Sequence, residues 1–326
     1  MAALCLAGSV SLAAQGSQFA LRFYGTGGPG EQDRAVFLVD DNEPGPGGSS
    51  PLDIGQGSWT LEWWMRGEPA DNDTDNAGGD VELGSIDWIQ GNIILDRDVW
   101  CGSERKYGVS IAGGFVRVGV GPGDVGGFGV TIEGDRAVLD GQWHHVAVLR
   151  DAVSESLRIY VDGVLDFESS PGSATADVSY PDAGVPVDPT CNNGQLLPDG
   201  WWLTLAAEKH DLVWPSFAGF VDELRVWSVA RSAAEIAADR TQVLPPTAPG
   251  LVAYYRFEEG AGTVLSDTSA AGSPDGDLVA AQPGNGEWVA YADDPGNTAP
   301  VEGPGVILFA DGFESGDVSA WSTSVP

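Results

Sequence analysis

Apolar residues recur at alternate positions in short runs, separated by loops of Gly, Pro, Asp and Asn. Residues 58–66 show this most plainly. Trp59, Leu61, Trp63 and Met65 fall on one face, and Ser58, Thr60, Glu62, Trp64 and Arg66 on the other. That is the period of two of a strand with one buried face. Residues 142–150 follow, with Trp143, His145, Ala147 and Leu149 opposite His144, Val146 and Val148. Leu157, Ile159 and Val161 line the next strand; Asp162-Gly163 supplies a tight turn, and residues 164–167 return as a hairpin. The same reading predicts strands at 18–24, 35–39, 92–96, 106–111, 115–120, 129–133, 201–206, 218–227 and 251–257. One short helix is expected from Ser232 to about Ala238, because Ser232 and Glu235 have capping-box spacing. Many strands, frequent turns and little helix predict an all-β, two-sheet antiparallel sandwich.

A length of 326 residues suits one large all-β domain or two ordinary ones. Fifteen Lys and Arg face 48 Asp and Glu, a net charge of -33. Such a field repels nucleic acid and anionic membranes, so neither is an expected partner, whereas acidic loops attract cations. Residues 1–15 are apolar, rich in small residues and uncharged, which reads as a signal peptide over 1–14 and predicts a secreted or cell-surface protein. They are too short to span a bilayer, and no membrane insertion is expected elsewhere. Removal of that segment takes Cys5 and leaves Cys101 and Cys191, an even pair expected to form a disulfide on export, with two free buried thiols as the alternative. The sandwich is expected over 16–293, a linker over 294–305 and a separate tail over 306–326. Two loops, 40–53 and 169–200, are long enough to be functional or mobile.

Five stretches occur in order: GSWTLEWWMRG, GQWHHVAVLRD, LRIYVDGVLD, FAGFVDELRVWSVARSAAEI and LVAYYRFEEGAGTVLSDTSAAG. Together they resemble the laminin-G-like, concanavalin A-like jelly-roll domains of secreted bacterial proteins, over roughly residues 18–292. The resemblance implies a jelly roll, often with a structural calcium, that binds carbohydrate or an extracellular protein. The final ILFADGFESGDVSAWS resembles a tail found on otherwise unrelated exported proteins, which suggests sorting or surface display.

Candidate chemistry centres on carboxylates and aromatics. Asp222 shares an alternation face with Phe220, Leu224 and Val226, and an ionised group there needs a partner. The family resemblance points to calcium, with Asp33 as companion ligand; an Arg partner or capped backbone amides is the alternative. Asp71, Asp73, Asp75 and Glu82 match positions 1, 3, 5 and 12 of an EF-hand-type loop, a second calcium candidate against a plain solvated acidic loop. His144 and His145 point to opposite faces of one strand and are read as structural. His210 falls in a polar loop. Trp64, Trp88, Trp100 and Trp214 are the candidates for partly exposed, sugar-stacking aromatics, with core packing as the alternative for each.

The chain has no E-x-D-x-E run, G-x-S-x-G, H-E-x-x-H or P-loop. The expected function is therefore a non-catalytic, calcium-stabilised binding module. A surface-display adhesion protein is the alternative, and a glycan-active hydrolase or lyase on the same fold is a further one.

Overall fold

The alternation around Trp59 becomes a nine-residue strand, Trp59–Gly67, and its inward residues Trp59, Leu61, Trp63 and Met65 are fully buried. Each such side chain contributes about 1.5–3 kcal/mol by leaving water. The computed structural model describes residues 17–25, 33–39, 50–74, 82–83, 87–97, 106–121, 130–179, 202–209, 215–279 and 287–302.

Seventeen strands lie among them: β1 (Phe19–Tyr24), β2 (Arg34–Leu38), β3 (Trp59–Gly67), β4 (Glu82–Leu83), β5 (Asn92–Arg97), β6 (Tyr107–Ala112), β7 (Phe115–Val120), β8 (Val130–Ala137), β9 (His144–Asp151), β10 (Ser156–Val161), β11 (Val164–Glu168), β12 (Trp202–Leu205), β13 (Ala218–Trp227), β14 (Leu251–Tyr255), β15 (Val264–Leu265), β16 (Gly276–Val279) and β17 (Glu287–Ala290). They form two sheets. One runs β11-β10-β9-β3-β13-β1-β17, with β14 also on β13; the other runs β15-β16-β2-β12-β5-β6-β7-β8-β4. The ladders between these strands are antiparallel. The inward faces share one core, from Leu21, Phe23 and Trp63 on the first sheet to Phe37, Val109 and Val118 on the second. The expected two-sheet antiparallel sandwich is the fold observed.

Local signals acted as expected. Asp162 and Gly163 both have positive φ, 53° and 78°, which lets β10 turn tightly into β11. The helix α1 (Ala233–Asp239) starts at Ser232 with both arms of the capping box made. It lies on the outer face of the first sheet, where Ile236 packs on Ala147, Leu149 and Tyr160.

The face assigned to Asp222 is corrected by a bulge. Glu223 takes φ 54°, and the β13–β3 register shifts between Asp222 and Arg225. An extra residue reverses the alternation, so Val221, Leu224 and Val226 enter the core. Asp222 instead stands on the outer face opposite Trp64, while Leu224 and Val226 point the other way. At the same bulge β13 changes neighbour, from β1 along residues 218–221 to β14 along 224–227.

Residues 294–302, expected as the start of a linker, lie against the sandwich. Ala299 and Val301 pack on Trp64, and Val243 and Glu302 are joined through backbone hydrogen bonding. Beneath this layer and α1 lies a buried charged cluster. Glu62 meets Arg231 at 2.8 Å and Arg225 at 3.9 Å, Arg225 meets Glu223 at 3.4 Å, Arg256 meets Glu223 at 3.2 Å, and Arg231 pairs with Asp239.

Candidate functional site

Three rows of side chains cross the outer face of the first sheet. The innermost pairs Arg225 with Glu62 and Ala147, and the next pairs Asp222 with Trp64 and His145. The segment 298–302 and α1 seal both. The third row, near the start of β13, runs from Arg22 on β1 to Phe220 on β13 to Arg66 on β3. Trp143 extends it, since the next residue, His144, is paired with Met65. Each side chain of this third row is only partly buried.

The row is an alternation of cations and rings. The Arg66 guanidinium carbon lies 4.0 Å from the Phe220 ring centroid and 5.8 Å from that of Trp143. That of Arg22 lies 5.3 Å from Phe220 and 4.6 Å from Tyr24. These separations fall within the range where a cation is attracted to a ring face. Trp143 and Phe220 meet edge to face at 6.2 Å. The Gly296 carbonyl fixes the far end by accepting from Arg66 Nη1 and, at 2.8 Å, from Trp143 Nε1.

Two hollows flank the row. One, of about 410 Å³, is lined by Arg22, Tyr24, Arg66, Phe220 and the exposed Glu68 and Asp71. Its floor includes Gly67 and Gly219. A Cβ on Gly219 would come within 2.4 Å of the Arg66 carbonyl, and its φ of 156° is one that side-chain-bearing residues rarely adopt. The other hollow, of about 660 Å³, lies between Trp143, Gln142, Tyr291 and the segment from Thr298 to Glu302. Volumes of this order hold small ligands.

Burial sets the local electrostatics. Desolvation raises the Tyr24 phenol above its usual pKa, and its hydrogen bond to Glu287 adds to the shift. Desolvation lowers Arg66, the positive charge of Arg22 lowers it further, and Asp294 opposes both. Neither Arg22 nor Arg66 has a carboxylate in ion-pair contact among the described residues, whereas Arg117, Arg136, Arg158, Arg225, Arg231 and Arg256 each have one.

The residues singled out in the sequence are placed differently. Asp222 is fully buried: one oxygen accepts from the Ser17 hydroxyl at 2.5 Å and the Ala299 amide at 3.0 Å, while the other has no hydrogen-bond partner among the described residues. Desolvation raises its pKa well above the carboxylate range, and neighbouring Glu223 raises it further. Asp33 accepts from the Tyr24 amide at 2.7 Å, at the end of β1 that pairs with Ala218. The structure therefore does not bring Asp33 and Asp222 together. Asp71 and Asp73 are exposed on a turn after β3, with the intervening Asn72 buried and bonded to both backbone groups of Ala218. Asp75 and the Glu82 side chain lie outside the described residues, and no group of three metal-ligating side chains occurs among those described.

Two tryptophans expected to be exposed are buried. Trp64 faces outward as its alternation requires, but Ala299 and Val301 cover it and its indole donates to the Arg240 carbonyl at 2.8 Å. Trp88, on a 3-10 turn at Asp87–Gln90, lies on the outer face of the second sheet above Gly108 and Gly119, where a Cβ would come within 2.2 and 2.1 Å of its ring. Trp100, Trp214, His210, Cys101 and Cys191 lie outside the described residues. His144 and His145 point to opposite sides, as expected. His144 bonds Asp162 at 2.9 Å and Asp140 at 3.1 Å, while His145 lies 3.5 Å from Glu62.

Sequence reasoning missed Arg22, Tyr24, Phe220 and the role of Arg66. The available signal was the outward alternation of scarce arginines; what brings them together is a cross-strand register between distant segments.

No curated protein matches the chain. Similar solved structures include a candidate carbohydrate-binding protein of Bacteroides ovatus ATCC 8483, at 18% identity and TM-score 0.48, covering 84% of this chain and 60% of that one. The SAP-like pentraxin of Limulus polyphemus aligns at 12% identity and TM-score 0.44, covering 82% and 98%. Domains LG4-5 of the mouse laminin α1 chain align at 16% identity and TM-score 0.36, covering 64% and 41%. The chain thus spans 60% of the length of the Bacteroides protein. Residues 48–183 match the family model of the concanavalin A-like lectin/glucanases superfamily, and the two-sheet antiparallel sandwich is consistent with that match.

Proposed function

We propose that this protein is a secreted, non-catalytic binding module that takes carbohydrate at the arginine–aromatic row of its eight-stranded sheet. The observation that carries this reading is the partly exposed row of Arg22, Phe220, Arg66 and Trp143 between two hollows. Rings present apolar faces to the C–H face of a sugar, and guanidinium forks donate to its oxygens. The lectin/glucanase family match over 48–183 is in keeping with a glycan ligand. Export rests on the character of residues 1–15, and a Cys101–Cys191 disulfide on the same premise. A bound structural calcium stays part of the proposal: it would stabilise only the folded state, so melting is expected at higher temperature with calcium than with chelator.

Polysaccharide binding followed by calorimetry tests the reading. Trp143→Ala and Phe220→Ala should each weaken binding about tenfold, the equivalent of about 1.4 kcal/mol, with melting temperature held within a few degrees. Unchanged affinity in both variants refutes the site. Release of soluble sugar from a bound polysaccharide refutes the non-catalytic part alone.

A further inference from the structure

We propose that the row recognises an acidic sugar, with Arg22 and Arg66 together holding its carboxylate. This rests on the carbohydrate reading above and narrows it to a ligand class. The chain carries 15 basic residues against 48 acidic ones, so an arginine without a carboxylate is out of keeping with its surroundings. Arg22 nevertheless forms neither an ion pair nor a side-chain hydrogen bond among the described residues; its contacts are the rings of Tyr24 and Phe220. Arg66 uses Nη1 on the Gly296 carbonyl and leaves the rest of its fork without a carboxylate.

The geometry fits one anion between two cations. Both arginines are directly opposite Phe220 in the ladder, one on each neighbouring strand. Two like charges on either side of one ring favour an anion between them; the Arg66 pKa is lowered first by desolvation, and the charge of Arg22 lowers it further against the opposing pull of Asp294 and Glu68. Planar forks match a carboxylate in bidentate fashion, which a lysine pair would not. The hollow beside them, about 410 Å³, has room for a sugar ring, and the exposed Glu68 and Asp71 at its rim can accept from sugar hydroxyls. The net charge of -33 opposes approach of an anion. At physiological salt that field is screened beyond about 8 Å, whereas the direct contact is not.

The test uses the full exported chain at pH 7 and 150 mM salt, titrated with galacturonate, glucuronate and sialyl oligosaccharides and their carboxyl-reduced counterparts. At least one acidic sugar should bind tenfold or more tightly than its reduced form. Arg22→Gln and Arg66→Gln should each erase that preference while leaving weak binding of the neutral form. Arg22→Lys, which keeps the charge and loses the fork, should recover only part of it. Equal binding of acid and reduced forms, abolished in both by Trp143→Ala, overturns the acidic-sugar inference and leaves the carbohydrate reading standing. A preference that survives both Gln variants overturns the role of the arginines. Absence of binding at the row by any of these sugars or by neutral polysaccharide overturns both.

Discussion

Replacing Glu62 by Gln probes the charged cluster that anchors the outer layer. Glu62 is fully buried, and although burial raises its pKa, His145 and the two arginines bring it below the usual glutamate value. His145 is pushed the other way, downward by burial, with Glu62 only partly offsetting it. Besides His145, the charge on Glu62 is held by Arg231 at 2.8 Å and Arg225 at 3.9 Å. The cluster sets the carboxylates of Glu62, Glu223 and Asp239, and that of Glu258 at 3.6 Å from Arg256, against three guanidiniums, Arg225, Arg231 and Arg256. Glu62→Gln takes away the buried carboxylate that Arg231 and Arg225 face. Removing one partner of a buried pair costs about 3–5 kcal/mol. Arg231 keeps Asp239, and Arg225 keeps Glu223 and the carbonyls of Asp239 and Gln242, so the lower end, about 3 kcal/mol, is expected. With a urea slope of about 3 kcal/mol per molar, the midpoint should fall by about 1 M. Tryptophan fluorescence in urea is the assay. The double variant with Arg231→Met should cost less than the sum of the two single changes, because the pair is then lost together. A loss under about 1 kcal/mol at unchanged slope would refute the view that this cluster is closed and desolvated.

Gly108→Ala and Gly119→Ala should each destabilise the fold by about 1–3 kcal/mol, the range for overpacking, because each new methyl meets the Trp88 ring; denaturant titration checks it, and near-neutral values would mean that the indole is not seated there. His144 is raised above its usual pKa first by its bond to Asp162 and then by Asp140, the two charged groups bonded to its ring. A raised group stabilises fully below the unfolded value near pH 6.5 and loses that contribution as pH climbs through the folded value. The wild type should thus lose more stability between pH 6 and pH 8 than His144→Gln; parallel profiles would contradict the shift. Asp222 is raised as well, so the stability tied to its proton is fully present below the unfolded value near pH 3.9 and is lost as pH rises from there to the folded value. Asp222→Asn should melt higher than wild type at pH 8 and lose that advantage toward pH 4, as followed by calorimetry; an advantage independent of pH would argue against titration at this site.

The fold was legible wherever one sheet face is apolar over several residues. β3, β7 and β9 follow from alternation, β13 is placed by it but not faced correctly past Asp222, and the capping box locates α1. Short strands were not visible: β15 and β4 have two residues each, and β16 opens on Gly276 amid Gly, Pro and Asp. The bulge at Glu223 was hidden because nothing in VDELRVW marks the positive φ of a glutamate, and one misplaced residue reversed the face assigned to Asp222. Trp64 was correctly placed outward, yet outward did not mean wet: residues 298–302, low in regular pattern, cover it. The arginine–aromatic row depends on three strands far apart in sequence, and register between distant strands leaves no trace in any one of them.

The Asp222 carboxylate holds Ser17 and Ala299 at once, and β17 closes the sheet edge against β1. Nearly the whole described chain separates those two contacts. A nascent chain emerging from the ribosome cannot complete this layer until residues near 302 have been made, even though β1 was synthesised first. Completion of the outer cover is thereby deferred to the end of synthesis, long after the first half of both sheets is available to pair.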